Sequence, residues 1–101
     1  MFVRVAAEEE VREGELRRFD VNQRLVTVTR TGEAIRAFDD ACPHRRCSLA
    51  EDGEVRGNVL TCVCHGSRFD LTSGAVLQGP ATQPLAMHAA RVEGGSILVE
   101  G

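Results

Sequence analysis

Ala41-Cys42-Pro43-His44-Arg45-Arg46-Cys47-Ser48-Leu49 and Cys62-Val63-Cys64-His65-Gly66-Ser67-Arg68-Phe69-Asp70 are the two stretches that decide the fold of this chain. Each carries a cysteine followed closely by a histidine, as Cys-x-His in the first and Cys-x-x-His in the second. Two soft thiolates and two imidazoles from two short loops form a metal-site signature. An iron-sulfur cluster needs four anchoring atoms on a small rigid core, and this set supplies them. Zinc also tolerates two cysteines and two histidines in a tetrahedron, although zinc fingers usually separate a Cys pair from a His pair, whereas each segment here mixes the two. A catalytic Cys/His pair is disfavoured, because no third orienting group or oxyanion site is legible.

The rest of the chain is consistent with a small carrier of such a site. At 101 residues it is long enough for one domain with a modest hydrophobic core, to which a cluster joining two loops would add stability. Ten glycines, four Phe with no Trp or Tyr, and short β-branched runs favour a compact all-β domain with tight turns. A net charge of -3 and a pI near 5.6 argue against nucleic acid, whose binding rests on a basic surface. Mild acidity suits a carrier that meets a basic docking patch. No stretch approaches the roughly 18 apolar residues that span a bilayer, and residues 1–10 have neither an apolar nor a basic leader region. The chain is therefore expected to be soluble and cytoplasmic, with no membrane partner. Four cysteines in that setting point to metal binding before structural disulfides.

Apolar alternation predicts strands at Phe2–Val5, Leu16–Val21, Arg24–Arg30 and Ala34–Phe38, with turns at residues 21–24 and 31–33. The acidic segment Ala7–Gly14 reads as a loop or a single helical turn. Leu85–Val92 and Ser96–Glu100 flank Glu93-Gly94-Gly95 as a hairpin that returns to the first strands. Between about residues 40 and 80 the composition shifts to Cys, His, Gly and Pro, with strand-like pieces at Glu54–Arg56, Val59–Cys62 and Ala75–Leu77. This predicts a base built from both ends and an insert that holds every candidate ligand. Gly66 and Gly74 are turn residues, and His88, far from the motif, is expected to be an unliganded surface or half-buried side chain.

The two loops resemble those of Rieske iron-sulfur proteins. That resemblance implies an all-β stack of three small antiparallel sheets. It also implies a single Rieske domain over residues 1–101, with a cluster-binding subdomain at about 40–81 inserted in a base domain. One 2Fe-2S cluster would sit at one tip, with Cys42 and Cys62 on the inner iron and His44 and His65 on the outer one, both histidines reaching solvent. Imidazole ligation removes negative charge and raises the potential to roughly -150 to +300 mV, against about -400 mV for four-Cys plant-type ferredoxins. Cys47 and Cys64 stand where Rieske proteins of the cytochrome bc complexes form a disulfide between the loops. Ser67 matches a serine that hydrogen-bonds a bridging sulfide in that group, and Phe69 stands where the group carries a tyrosine. Gly79-Pro80-Ala81 resembles the proline-bearing third loop that covers the cluster. Arg45 and Arg46 follow His44 directly, where related sequences often have a glycine at the second place, and two cations there would steer a partner carrying carboxylates.

The resemblance implies an electron-transfer protein that transforms no substrate itself: a ferredoxin that relays single electrons from a reductase to a terminal oxygenase of a multicomponent aromatic-ring dioxygenase. A small Rieske subunit of an assimilatory nitrite reductase also fits these residues. So does a soluble relative of the cytochrome bc Rieske protein, which Cys47, Cys64 and Ser67 favour and the missing membrane segment disfavours.

Overall fold

The structure is a computed structural model that describes residues 1–43 and 46–101. Its strands form three antiparallel sheets. The first joins β1 (Phe2–Ala7) to β11 (Ser96–Glu100) and β11 to β10 (Ala90–Glu93). The second runs in the order β2 (Leu16–Val21), β3 (Arg24–Thr31), β4 (Ala34–Asp39), β9 (Met87–His88). The third is the insert, β5 (Gly53–Arg56), β6 (Val59–Cys62), β7 (Ser67–Asp70) and β8 (Val76–Gln78), each paired with its chain neighbour.

The second sheet lies between two cores, and this explains the composition of β3. Val26 and Val28 face one side and pack with Ile35, Ala37, Ile97 and Val99 against the first sheet. Side chains on a strand alternate between faces, so Thr27, Phe38 and Leu16 face the other side. There Phe38 and Leu16 pack with Leu60, Phe69 and Leu71 of the insert. With both faces covered, residues 26–29 of β3 are all buried, although valine and threonine alternate along them. The β2–β3 hairpin turns through Asn22 and Gln23, with φ of 51° and 68°, the left-handed pair that matches strand twist in a two-residue loop.

Most predicted strands appear within a residue or two of their expected bounds, and the acidic segment contains a 3-10 turn at Glu8–Glu10. The predicted strand Leu85–Val92 is instead divided. Met87–His88 pairs with β4 in the second sheet, whereas Ala90–Glu93 pairs with β11 in the first, so the chain changes sheets at Ala89. Two elements had no prediction: strand β7 and the one-turn helix α1 (Leu49–Asp52). His88 is half-buried, as expected, and its ring N–H donates to Asp39 Oδ1 at 2.6 Å. Among the described residues no helix is long and apolar enough to cross a membrane.

Asp40 joins the insert to the base. Its carboxylate, 5% exposed, accepts hydrogen bonds from the Thr27 hydroxyl at 2.7 Å, the Ala50 amide at 2.9 Å and the Ser48 hydroxyl at 3.0 Å, with Arg18 Nη1 3.5 Å from the second oxygen. Burial alone would push this carboxyl upward, but the three hydrogen bonds and the Arg18 charge outweigh it and hold the group below the usual carboxylate range.

Candidate metal centre

The first loop leaves the end of β4 and closes on itself. Cys42 N donates to Cys47 O at 2.9 Å and Arg46 N to Cys42 O at 2.8 Å, while Ala41 and Ser48 pair across the neck. Arg46 takes φ of 59°, a left-handed conformation that glycine adopts freely and a long side chain rarely does. The second loop is the β6–β7 turn, with Cys62 opposite Ser67. Gly66, at φ 86°, donates its amide to Cys62 O at 2.8 Å. Val63 N donates to Asp52 O at 2.8 Å, which anchors this loop to α1.

Cys42 and Cys62 are free thiols, 2% and 1% exposed, in the core shared by the base and the insert. Both belong to one packed cluster, where the Cys42 sulfur acts on that of Cys62. Burial pushes the Cys62 thiol up, followed by its interaction with the Cys42 sulfur and the charge of Cys42, while backbone amides of Cys64 and His65 donate toward its sulfur and pull the other way. Two adjacent buried sulfurs, one of them already facing amide donors, suit the thiolate side of an iron-sulfur cluster, where N–H donors stabilise sulfur-borne charge.

Cys47 and Cys64 form a disulfide between the two loops, with Cα atoms 6.6 Å apart and a sequence separation of 17. Closing a loop of about that size removes roughly 3 kcal/mol of unfolded-chain freedom in the chain-entropy description. Both sulfurs and a ring nitrogen of His65 lie within 4.8 Å of one another, so the exposed His65 sits where the loops are joined. Because the sulfurs are bonded to each other, this trio is a junction rather than a ligand set. His44 and Arg45 lie outside the described residues.

A third segment follows β8 through a cis Gly79–Pro80 peptide. Pro80 is exposed and Ala81 is buried. Ser67, fully buried, accepts the Ala81 amide at 3.0 Å through Oγ, and Gln78 Nε2 donates to Gly66 O at 3.0 Å. The proline segment is thus tied to the second loop at two points. Phe69, also fully buried, packs in the core beneath the loops.

Of the predicted site residues, Cys42 with Cys62, Cys47 with Cys64, and His65 beside that disulfide are brought together. Asp40, Arg18 and Gln78 were missed as positioning groups. Asp40 was signalled only by its place two residues before Cys42; Arg18 and Gln78 carried no local signal.

The family model described as the Rieske [2Fe-2S] domain matches residues 1–89. The ferredoxin component of the p-cumate 2,3-dioxygenase system of Pseudomonas putida is 36% identical over 100 residues, covering 97% of this chain and 84% of that protein. The solved ferredoxin of carbazole 1,9a-dioxygenase from Nocardioides aromaticivorans IC177 superposes with a TM-score of 0.91 at 31% identity, covering 98% of this chain and 96% of the other. A chain of the solved complex of reduced oxygenase and oxidized ferredoxin in carbazole 1,9a-dioxygenase superposes with a TM-score of 0.88 at 31% identity, covering 97% of this chain and 91% of that one.

Proposed function

The chain belongs to the Rieske [2Fe-2S] domain family, and we propose that it is the ferredoxin component of a multicomponent aromatic-ring dioxygenase, taking single electrons from a reductase and passing them to a terminal oxygenase. The protein is an electron carrier with one Rieske 2Fe-2S cluster and no substrate chemistry of its own. When bound, that cluster supplies a one-electron centre in the range of roughly -150 to +300 mV. The similarity to a ferredoxin solved in complex with its oxygenase supports the acceptor. The reductase and a cytoplasmic setting follow from the ferredoxin role. Residues 1–101 form one domain in this account, with 40–81 as its cluster-binding subdomain.

Cys42 and Cys62 would hold the inner iron, and His44 and His65 the outer one. The observation that carries this assignment is the contrast between its two sides: paired thiols almost fully buried, and an exposed His65 at the loop junction. The thiols keep water from the sulfur side, and the exposed His65 is open to a docked partner. Cys47–Cys64 holds the two loops in register. Ser67, its oxygen anchored by the Ala81 amide, keeps a hydroxyl proton that would be available to hydrogen-bond the cluster, and the Pro80 segment would cover the site.

The test is reconstitution of the relay. With a ring-hydroxylating reductase and its oxygenase, the purified protein should support single-electron reduction and coupled product formation. Reduction with no onward transfer to the oxygenase would contradict the assignment. A relationship in use to the cytochrome bc Rieske proteins is favoured by the disulfide and Ser67, and a potential at the top of the range would support it.

A further inference from the structure

Resting on that placement of the electron-transfer tip, we propose that the surface around the two loops is a basic collar that docks a partner protein presenting carboxylates around an apolar spot. The whole chain carries -3, which alone would favour a basic partner. The charge is unevenly placed. Arg46 on the first loop and Arg68 just after the second are exposed, and neither side chain has an ion pair or hydrogen bond among the described residues. No Asp or Glu occurs among the described residues at 43, 46–48, 63–68 and 78–82.

Asp52, exposed and joined to Val63 through its backbone carbonyl, is one open carboxylate at the edge of this surface, whereas the other carboxylates near these arginines are engaged. Asp39 and Asp40 share a cleft with Arg46, but Asp39 is held by His88 and Arg24, and Asp40 by Thr27, Ser48, Ala50 and Arg18. Glu54 lines the groove beside Arg68 and lies 3.8 Å from Arg56. The remaining open acidic charge collects elsewhere. The Glu8–Glu10 turn is bonded to Gly95 of the last hairpin, and Glu13 to Gly32 in the β3–β4 turn. That turn lies at the opposite end of β4 from the first loop, and six extended residues separate the two by roughly 20 Å.

Val63, 55% exposed, supplies the apolar spot and shares a shallow groove with Gly66 and Arg68. Arg46 keeps its charge at a left-handed position where a glycine would be unstrained. Strain retained beside a functional site is a mark of use.

The probe is the reduced, cluster-loaded protein oxidised in stopped flow by hexacyanoferrate(III), a trianion, and separately by hexaammineruthenium(III), a trication. In each reaction one electron leaves the protein and one metal(III) becomes metal(II). Ionic strength is raised from about 10 to about 200 mM, over which screening shortens from ~30 Å to below ~10 Å. The collar predicts that the anion's rate constant falls by about fivefold or more while the cation's rises. Arg46→Glu with Arg68→Glu should invert both trends, and Glu9→Lys should leave them unchanged. A wild-type anion rate that rises with salt, as a net -3 demands, would overturn the collar, as would trends unmoved by the double variant. A protein that binds no cluster would instead contradict the function above. The collar then has its own readout: the redox-inert trianion hexacyanochromate(III) should broaden amide signals around Arg46 and Arg68 but not around Glu9, and uniform or absent broadening overturns it.

Discussion

The hydroxyl of Thr27, in the middle of β3, donates a 2.7 Å hydrogen bond to the carboxylate of Asp40 at the root of the first cluster loop. Both residues are buried, and the same carboxylate oxygen also gathers Ser48 and Ala50 from the far side of that loop. One oxygen therefore fixes the loop's two ends to each other and to the central sheet. Asp40→Ala should cost about 2–4 kcal/mol, because it removes charge-assisted bonds and leaves the Thr27 hydroxyl unpaired in the core. Thr27→Val, which removes one donor at nearly constant shape, should cost about 1 kcal/mol. Chemical denaturation of the two variants reads both numbers, and equal losses would contradict the ranking.

Ser67→Ala should lower the reduction potential without loss of the cluster. A hydrogen bond to a charged acceptor contributes roughly 1.5–3 kcal/mol, and because only the part gained on reduction moves the potential, about 60–130 mV at 59 mV per tenfold is the ceiling of the shift. The same substitution deprives the Ala81 amide of its acceptor, so the Pro80 segment should also exchange faster with solvent. Redox titration and hydrogen exchange separate the two effects.

Cys47→Ser with Cys64→Ser should lower stability by about 3 kcal/mol, and the visible colour should be lost at a lower temperature than in the parent. Iron content in freshly prepared protein should be unchanged, because the proposed ligand set includes neither sulfur. Loss of iron at the outset would place one of these cysteines among the ligands.

Much of the site was legible because its residue types are chemically rare and their spacing is constrained. Cys42, Cys62, His65 and the Cys47–Cys64 pair stand out against any background composition. The base strands were legible for a different reason, since apolar alternation at Leu16–Val21 and Arg24–Thr31 is written locally. What failed depended on tertiary context. Ser67–Asp70 has one apolar residue, Phe69, so nothing local marks it as the strand that completes the cluster sheet. Leu85–Val92 looks continuous because the change of sheet at Ala89 is decided by which neighbours are available on either side. Asp40 looks like any loop carboxylate until Thr27, Ser48 and Ala50 are brought around it. The expected roles of His44 and Arg45 lie outside the described residues.

The most direct measurement is the electron paramagnetic resonance spectrum of the reduced, reconstituted protein, recorded with a redox titration before and after His65→Cys. Mixed thiolate and imidazole ligation predicts a rhombic, low-average-g signal and a potential within roughly -150 to +300 mV for the parent, with both shifting toward the four-Cys type in the variant. A parent potential near about -400 mV, or a spectrum that the substitution leaves unaltered, would contradict the account.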